Sequence, residues 1–317
     1  MLRLCLTGLF AAGLIAAPAA VAAPAKPKAA DDFSLPDDKE GKFEADTADI
    51  FGFSDGTDNN SQGERELGGQ IQARFGKRVL NPQNDPPGKG RYGVLATQLS
   101  LQYGVSDDFS IETSVFQDAR NVRRVPDMDN SSKSQFNGGS VQFKYRLLER
   151  TRENRFGLGV QFEPRFSRIN DHDASREDSF TGETKLLWDM RLIDGLLWYG
   201  GNLTWEPQIG RFKTTKVFER QSALSVSQAL SLRVLENAYA GVEAIYSRQY
   251  DGLTFRNFQT QALSIGPAFQ YKFSKGFFIA AAYQVQVWGH EKGDSRHGLD
   301  LNNFERHYAK VKFGLNF

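Results

Sequence analysis

The last stretch of the chain, YAKVKFGLNF at residues 308–317, alternates strictly between apolar and polar side chains. Successive side chains of a β-strand point to opposite faces, so this stretch predicts a strand with one apolar and one polar face. The apolar positions are Ala309, Val311, Phe313, Leu315 and Phe317. The chain therefore ends on an aromatic residue of the apolar face.

This pattern resembles the closing strand of bacterial outer-membrane β-barrel proteins, which typically ends in Phe and is read by the barrel-assembly machinery. The resemblance implies that Phe313, Leu315 and Phe317 form an assembly signal. It also implies two partners, the assembly machinery and the lipid of the outer membrane.

The alternation recurs about twelve times between residues 63 and 317, which predicts an all-β, antiparallel, up-and-down transmembrane β-barrel. The connections alternate between tight turns, such as 105–109 and 192–196, and long polar loops, such as 79–92 and 289–302. Outer-membrane barrels have short periplasmic turns and long outer loops. A soluble β-sandwich or lipocalin-like barrel is the alternative, but its core does not need so many strands that end in aromatic residues.

The first 22 residues have the features of a secretory signal peptide. Arg3 precedes an apolar run, and Ala20-Val21-Ala22 is a small-x-small cleavage site. Removal of this segment also removes Cys5, the only cysteine, and leaves a neutral mature chain, because the whole chain carries a net charge of +1. The predicted location is the bacterial outer membrane, which the chain reaches by export through a cleaved signal peptide.

Residues 23–62 are polar, contain Pro and lack periodicity, so they predict a largely disordered periplasmic extension. The apolar island Ile50-Phe51-Gly52-Phe53, residues 50–53, interrupts it. Three interpretations stay open for this island: a plug of the barrel, a periplasmic tether, or a flexible tail with an apolar patch.

Composition excludes two classes of function. The mean hydropathy is −0.48, and no mature segment reaches the roughly 18 consecutive apolar residues of a membrane helix. The balanced charge gives no basic surface for nucleic acid. A small solute of unknown identity is the expected ligand of the predicted barrel.

The polar faces of the predicted strands carry charges of both signs. The predicted lumen-lining residues are Arg74, Glu112, Lys144, Arg146, Glu163, Arg165, Glu183, Lys185, Asp189, Arg191, Glu206, Arg233, Glu243, Lys310 and Lys312. Pores selective for one ion sign show a ring of one charge, so this mixture predicts weak charge selectivity. Lys144 or Arg146 can pair with Glu163 across neighbouring strands. The interior is then either a polar path for a solute or a salt-bridged support for the wall.

Three prolines, Pro164, Pro207 and Pro267, fall inside predicted strands on the lipid-facing parity. Proline removes a hydrogen-bond donor from the ladder, which is costly in lipid. The prolines predict kinks in the wall. They mark either an opening for apolar solutes or ordinary bulges.

Catalytic, cofactor and metal sites are not predicted. His307 lies at the predicted outer rim, but the His-x-Ser pairing of outer-membrane phospholipases is absent. Glu291, Asp294 and Asp300 near His290 favour a solvated acidic loop over a divalent-cation site. Because no nucleophile lies beside a base in the sequence, an enzyme is not expected.

Residues 46–56, DTADIFGFSDG, and the stretch 63–67, GEREL, are similar to the porin-like phenol-degradation-pathway (MetA-pathway) outer-membrane proteins. That resemblance implies a channel or transporter for small solutes. The alternatives are a closed structural or receptor barrel that binds a partner through its outer loops and, less favoured, a lipid hydrolase.

Overall fold

The structure is a computed structural model of the chain and describes residues 45–78, 90–125, 128, 130–151, 153–170, 176–274, 276–294 and 298–317. The predicted signal peptide, residues 1–22, lies outside the described residues, as does the predicted extension up to residue 44.

The described part of the chain contains twelve strands and one short helix. They are α1 (Thr47–Ile50), β1 (Arg65–Phe75), β2 (Arg91–Ser106), β3 (Phe109–Arg123), β4 (Ser131–Leu148), β5 (Phe156–Ile169), β6 (Arg176–Ile193), β7 (Leu197–Phe212), β8 (Phe218–Leu235), β9 (Ala238–Asp251), β10 (Asn257–Ser274), β11 (Phe277–Glu291) and β12 (His307–Asn316).

The strands form one closed antiparallel barrel. Each strand pairs with the next in the chain, and β1 pairs with β12 to close the ring. At this seam the Phe317 amide donates to the Arg65 carbonyl oxygen at 2.9 Å, and the Arg65 amide donates to the Phe317 carbonyl oxygen at 3.3 Å. The predicted all-β barrel is confirmed, and the stretch that ends in Phe317 is its closing strand.

Burial alternates along the strands as the sequence predicts. On β2, Leu99 and Leu101 are 49% and 48% exposed, whereas Ser100 between them is 9% exposed. Large apolar side chains therefore point outward and polar side chains point inward. An apolar outer surface of this extent suits lipid rather than water, which is the arrangement of a transmembrane barrel.

The two ends of the barrel differ in their connections. The short-turn end carries tight turns such as 107–108, 194–196 and 236–237, and the long-loop end carries connections such as 76–90 and 292–306. β1 begins and β12 finishes at the short-turn end. This arrangement follows from the even number of strands.

Residues 45–62, here called the luminal segment, precede β1 and lie inside the barrel against inward-facing side chains. The segment opens with α1, whose N-cap Asp46 accepts a hydrogen bond from the Ala48 amide at 3.0 Å. The expectation of disorder therefore fails for residues 45–62, because polar groups of the wall bind them. No helix in the described ranges has the length and apolar character needed to cross a membrane.

The ladder is interrupted on one side of each strand proline. Pairs are missing at Pro164 between β4 and β5, at Pro207 between β6 and β7, and at Pro267 between β10 and β11. The register is the same before and after each gap, so no extra residue is inserted there, as a β-bulge would require. The other edge of each of these strands keeps its pairing through the proline.

We expect Gly138→Ala to destabilise the barrel. Gly138 has a φ of +139°, and a Cβ there would lie 1.9 Å from the carbonyl oxygen of Phe166. The backbone strain alone lowers the free energy of unfolding by about 1–3 kcal/mol. Urea titration followed by gel mobility measures the change. Gly93→Ala is the matched control, because a Cβ at Gly93 meets no atom within 4 Å; equal midpoints for both variants would contradict the expectation.

Candidate functional site: the lumen and its segment

The luminal segment forms a loop that enters and leaves the barrel at the short-turn end. At its exit, Asn59 Nδ2 donates to the Asp108 carbonyl oxygen at 2.7 Å and the Gln62 amide donates to Asp107 at 2.9 Å. At its furthest point, Asp55 pairs with Lys185 near the middle of β6 at 2.8 Å. The segment therefore rises about halfway through the barrel and returns.

Glu243 on β9 holds the segment by its backbone. Its Oε1 and Oε2 accept hydrogen bonds from the amides of Gly52 and Phe53, each at 2.7 Å. Glu243 is 1% exposed, and two charge-assisted hydrogen bonds offset the cost of burying its carboxylate. A Cβ on Gly52 would lie 2.3 Å from the Ala282 Cβ, so the backbone rests directly on the wall at this point.

Arg150 joins the segment to the wall at the short-turn end. Its Nη2 lies 2.5 Å from Asp58 of the segment, and its Nη1 pairs with Asp189 of β6. Asp189 also accepts hydrogen bonds from the Thr57 amide at 2.6 Å and from Thr47 Oγ1 at 2.7 Å. Burial acts to raise the pKa of Asp58, but the Arg150 guanidinium and the Thr47 hydrogen bonds hold that pKa below its usual value.

Apolar packing fixes the start of the segment. Ile50 and Phe51 belong to a buried cluster that includes Trp198 and Tyr239 of the wall. A Cβ at Gly200 would lie 2.5 Å from the Phe51 ring. Glycine at this position of β7 therefore makes room for the aromatic ring of the segment.

The closing strand contacts the other side of the segment. Lys312 Nζ donates to the Ala48 carbonyl oxygen at 2.9 Å. The ring centroids of Tyr308 and Phe53 are 4.7 Å apart, and Lys310 Nζ lies 5.5 Å from the Phe53 centroid. Phe53 thus combines an edge-on aromatic contact with a cation–π contact.

The wall from β1 to β3 places neutral polar groups in the lumen beside charged residues such as Arg74 and Glu112. Gln98 hydrogen-bonds to Gln70 and, at 2.8 Å, to Ser114. Gln102 donates to Ser110 at 3.1 Å, and Ser110 donates to Asn59 of the segment at 3.2 Å. Amides and hydroxyls therefore share this side of the lumen with charged groups such as Glu112, whose carboxylate accepts a hydrogen bond from Ser114 at 2.9 Å.

The predicted lumen-lining residues are all buried or half-buried in the structure. Six of them contact the luminal segment: Lys144, Lys185, Asp189, Glu243, Lys310 and Lys312. The charges that the sequence pattern places on the inner face therefore serve in large part to bind another piece of the same chain.

Beyond the top of the segment lies a cluster of mixed charge. Lys185 bridges Asp55 and Glu183, with both distances at 2.8 Å. Arg165 lies 3.1 Å from Glu163 on its own strand. Each carboxylate in these pairs has a cation beside it, so the cluster presents no ring of one sign.

The expected pairing of Lys144 or Arg146 with Glu163 is wrong. Lys144 donates to the Asp58 carbonyl oxygen at 2.5 Å, and Arg146 pairs with Asp108 at 3.0 Å. Both cations find acceptors towards the short-turn end. The luminal segment supplies one of these acceptors, which could not be placed from strand alternation.

Sequence reasoning missed Thr47, Asp55, Asp58 and Arg150 as functional residues. Asp55 and Asp58 occur in a polar stretch without periodicity, and Arg150 occurs in a turn. The signal that could have indicated them is the apolar island at residues 50–53. Acidic residues lie on both sides of this island, and such a stretch can bind inside a lumen that carries charges of both signs.

The loop after β11 narrows the other mouth. The Gly289 amide donates to the Gly298 carbonyl oxygen at 2.7 Å, and Gln286 Nε2 donates to the Asp300 carbonyl oxygen at 3.0 Å. Glu305 accepts a hydrogen bond from Tyr92 at 2.5 Å. Residues 298–306 therefore fold inward against β2 and β11.

His307 is placed at the long-loop end with aromatic neighbours. Its Nδ1 lies 2.7 Å from the Tyr283 hydroxyl, and its ring stacks on Phe75. No serine hydroxyl is among its hydrogen-bond partners in the part of the chain that the structure describes. Within the same ranges, no group of three His, Cys, Asp or Glu side chains is arranged to hold a metal ion. His297 lies outside them.

Comparisons with known proteins identify a family for this chain and solved structures with a similar fold. The model of a family of unknown function, DUF6662, matches residues 43–317. A search of curated proteins finds no match. The resemblance to phenol-degradation-pathway proteins is not confirmed by these comparisons.

Among solved structures, the chain is similar to the COG4313 outer membrane channel from Pseudomonas putida F1, with a TM-score of 0.54 and 10% identity over 82% of this chain and 98% of that one. It is also similar to the NanC porin, with a TM-score of 0.43 and 8% identity over 80% of this chain and 98% of that one. The first likeness supports the barrel fold.

We expect Glu243→Gln to release the luminal segment. A glutamine presents one oxygen and one NH₂ group to the two backbone amides, so at least one charge-assisted hydrogen bond is lost. Ser54, which hydrogen-bonds to Ser227 at 2.9 Å, reports release when it is replaced by cysteine in a Cys5→Ser background. Maleimide labelling should become faster by about tenfold or more, as expected for a lost hydrogen bond to a charged group.

Glu206→Gln is the control for this experiment, because Glu206 faces the lumen beside Glu183 rather than the segment. Labelling at the wild-type rate in Glu243→Gln, or equal acceleration in both variants, would show that Glu243 does not hold the segment.

Proposed function

The chain belongs to the DUF6662 family, whose description assigns no function, and we propose that it is an outer-membrane channel for small solutes in which the luminal segment is the constriction. The single observation that carries this proposal is the segment itself. It rises through the lumen with both ends at one mouth, and it is held by polar and apolar contacts with inward-facing side chains rather than by strand pairing with the wall.

The number of strands supports a partly filled pore. Barrels of about 8 strands are filled by their own side chains, whereas those of about 16–18 strands leave a wide aqueous channel. Twelve strands fall between these cases, so wall side chains alone leave space. The luminal segment occupies part of this space, and the side of the lumen from β1 to β3, where Gln70, Gln98 and Gln102 lie among charged residues, is the proposed solute path.

The lining supports weak charge selectivity. Around the segment, cations and carboxylates alternate: Lys185 lies between Asp55 and Glu183, and Arg165 lies beside Glu163. A solute of either charge meets partners of both signs along this route. We propose that solute size and hydrogen bonding set the selectivity more strongly than charge does.

The location follows from the apolar outer surface and the asymmetric ends. We propose that the short-turn end faces the periplasm and the long-loop end faces the outside, as in other outer-membrane barrels. The predicted signal peptide at residues 1–22 and the predicted assembly signal at Phe313, Leu315 and Phe317 fit this route.

Deletion of residues 47–58 tests the proposal. We expect conductance in planar bilayers to rise about twofold or more, because a narrow lumen loses much of its filling. In a KCl gradient the reversal potential should stay close to zero for the wild type and the variant. An equal-length deletion of residues 25–36 is the control, because it shortens the predicted extension and leaves the luminal segment intact.

Three results would overturn the proposal or a part of it. Absence of both conductance and liposome swelling in all three proteins would favour a closed structural or receptor barrel. Conductance that is the same in the wild type and the 47–58 deletion would show that the segment is not the constriction. A reversal potential near that of a perfectly selective pore would reject weak charge selectivity.

A second candidate function, a lateral opening for apolar solutes, rests on the ladder gaps at the prolines. Gly182 of β6 pairs with Pro164 of β5 across one strand edge and faces Pro207 of β7 across the other. The gap between β4 and β5 and the gap between β6 and β7 therefore lie at the same height, one on each side of the β5–β6 hairpin. We expect Pro207→Val to restore pairing between β6 and β7 and to lower the uptake of an apolar solute, while KCl conductance is kept. Unchanged uptake would reject the opening.

A further inference from the structure

Seven arginines form a belt on the outer surface near the long-loop end. They are Arg91 on β2, Arg123 on β3, Arg168 on β5, Arg176 on β6, Arg211 on β7, Arg220 on β8 and Arg248 on β9. Each belongs to the outward-facing set of its strand, together with exposed side chains such as Leu95, Phe166 and Ile209. The belt therefore lies just beyond the apolar band of the wall, at the level of lipid headgroups.

At one end of the belt, on β2 and β3, two like charges lie directly opposite each other. Arg91 and Arg123 are paired residues of β2 and β3, and both are exposed. Like charges at directly opposite positions of a sheet are destabilising. The described residues provide neither arginine with a carboxylate partner. Asp178, an acidic residue on the same outward face, is paired with Lys213.

A groove runs down the outer surface beneath this pair. Its upper part, of about 400 Å³, is lined by Arg91, Gly93 and Phe75, and an adjoining part of about 310 Å³ is lined by Ala73, Leu95 and Ala119. Glycine and alanine form its floor, and larger apolar side chains form its sides. A slot of this kind fits an acyl chain whose charged headgroup lies above it.

The opposite rim lacks such a belt. Outward positions next to the short turns are largely aromatic or aliphatic: Tyr103, Val105, Tyr145, Leu147 and Phe273. A ligand present in both leaflets would favour arginines at both rims. The asymmetry indicates an anionic lipid that is confined to the leaflet at the long-loop end.

We propose that the arginine belt binds the phosphate groups of a phosphorylated, multiply acylated glycolipid of the lipid A type, with one acyl chain in the groove below Arg91 and Arg123. Guanidinium groups suit phosphate because they can donate two parallel hydrogen bonds. The proposal rests on the outer-membrane location given under the proposed function, and it adds a lipid site on the wall that is separate from the solute path.

Binding of lipid A to the detergent-solubilised full protein tests this site. We expect the double variant Arg91→Gln/Arg123→Gln to bind lipid A about tenfold or more weakly, as expected for the loss of hydrogen bonds to a charged group. Arg91→Lys/Arg123→Lys should retain part of the affinity because it keeps the charge. Arg155→Gln, which removes an exposed arginine at the short-turn end, is the control and should bind as the wild type does.

Native mass spectrometry measures the binding of both lipids. Phosphatidylglycerol is the second probe, and it should bind more weakly than lipid A. Equal affinities of the wild type and the glutamine double variant for lipid A would overturn the site. Equal binding of phosphatidylglycerol and lipid A would overturn its lipid class. Bilayer conductance of the same double variant should match the wild type, so a failure of the channel proposal is separable from a failure of the lipid site.

Discussion

The hydrogen-bonded seam between β1 and β12 is the contact on which the rest of this structure depends. Within lipid, no water is available to the backbone groups of a sheet edge, so an open sheet cannot cross the membrane. The bonds between Arg65 and Phe317 and the register above them close that edge. Closure also sets the width of the barrel, and with it the space that inward side chains have to share.

The limited space inside the barrel explains why charges of both signs occur on the inner face. A buried carboxylate or ammonium needs a partner of opposite charge or several hydrogen bonds. Glu243 finds two backbone amides of the luminal segment, and Asp189 and Arg150 find each other together with residues of that segment. The segment is therefore part of the polar core of the barrel, and its removal leaves several charged groups without the partners that they have now.

The wall was predictable from sequence to a greater extent than its contents. Alternation is a local signal of each strand, so the closing strand, the number of strands and the inward positions of residues such as Lys310 follow from it. The partners of those residues do not follow, because pairing in the lumen depends on a segment without periodicity. Lys144 illustrates this: alternation assigns it to the inner face, but its partner is a backbone carbonyl oxygen of residue 58, which alternation does not indicate.

The luminal segment also determines how the protein can be put together. Its start at Ala45 and its end at Gln62 both lie at the short-turn end, so it occupies the lumen as an inserted loop and not as a threaded strand. A threaded chain would have to be in place before the ring closed. A loop needs no such order, so the ring and its occupant are topologically independent, and the occupant can exchange with solvent while every strand stays paired.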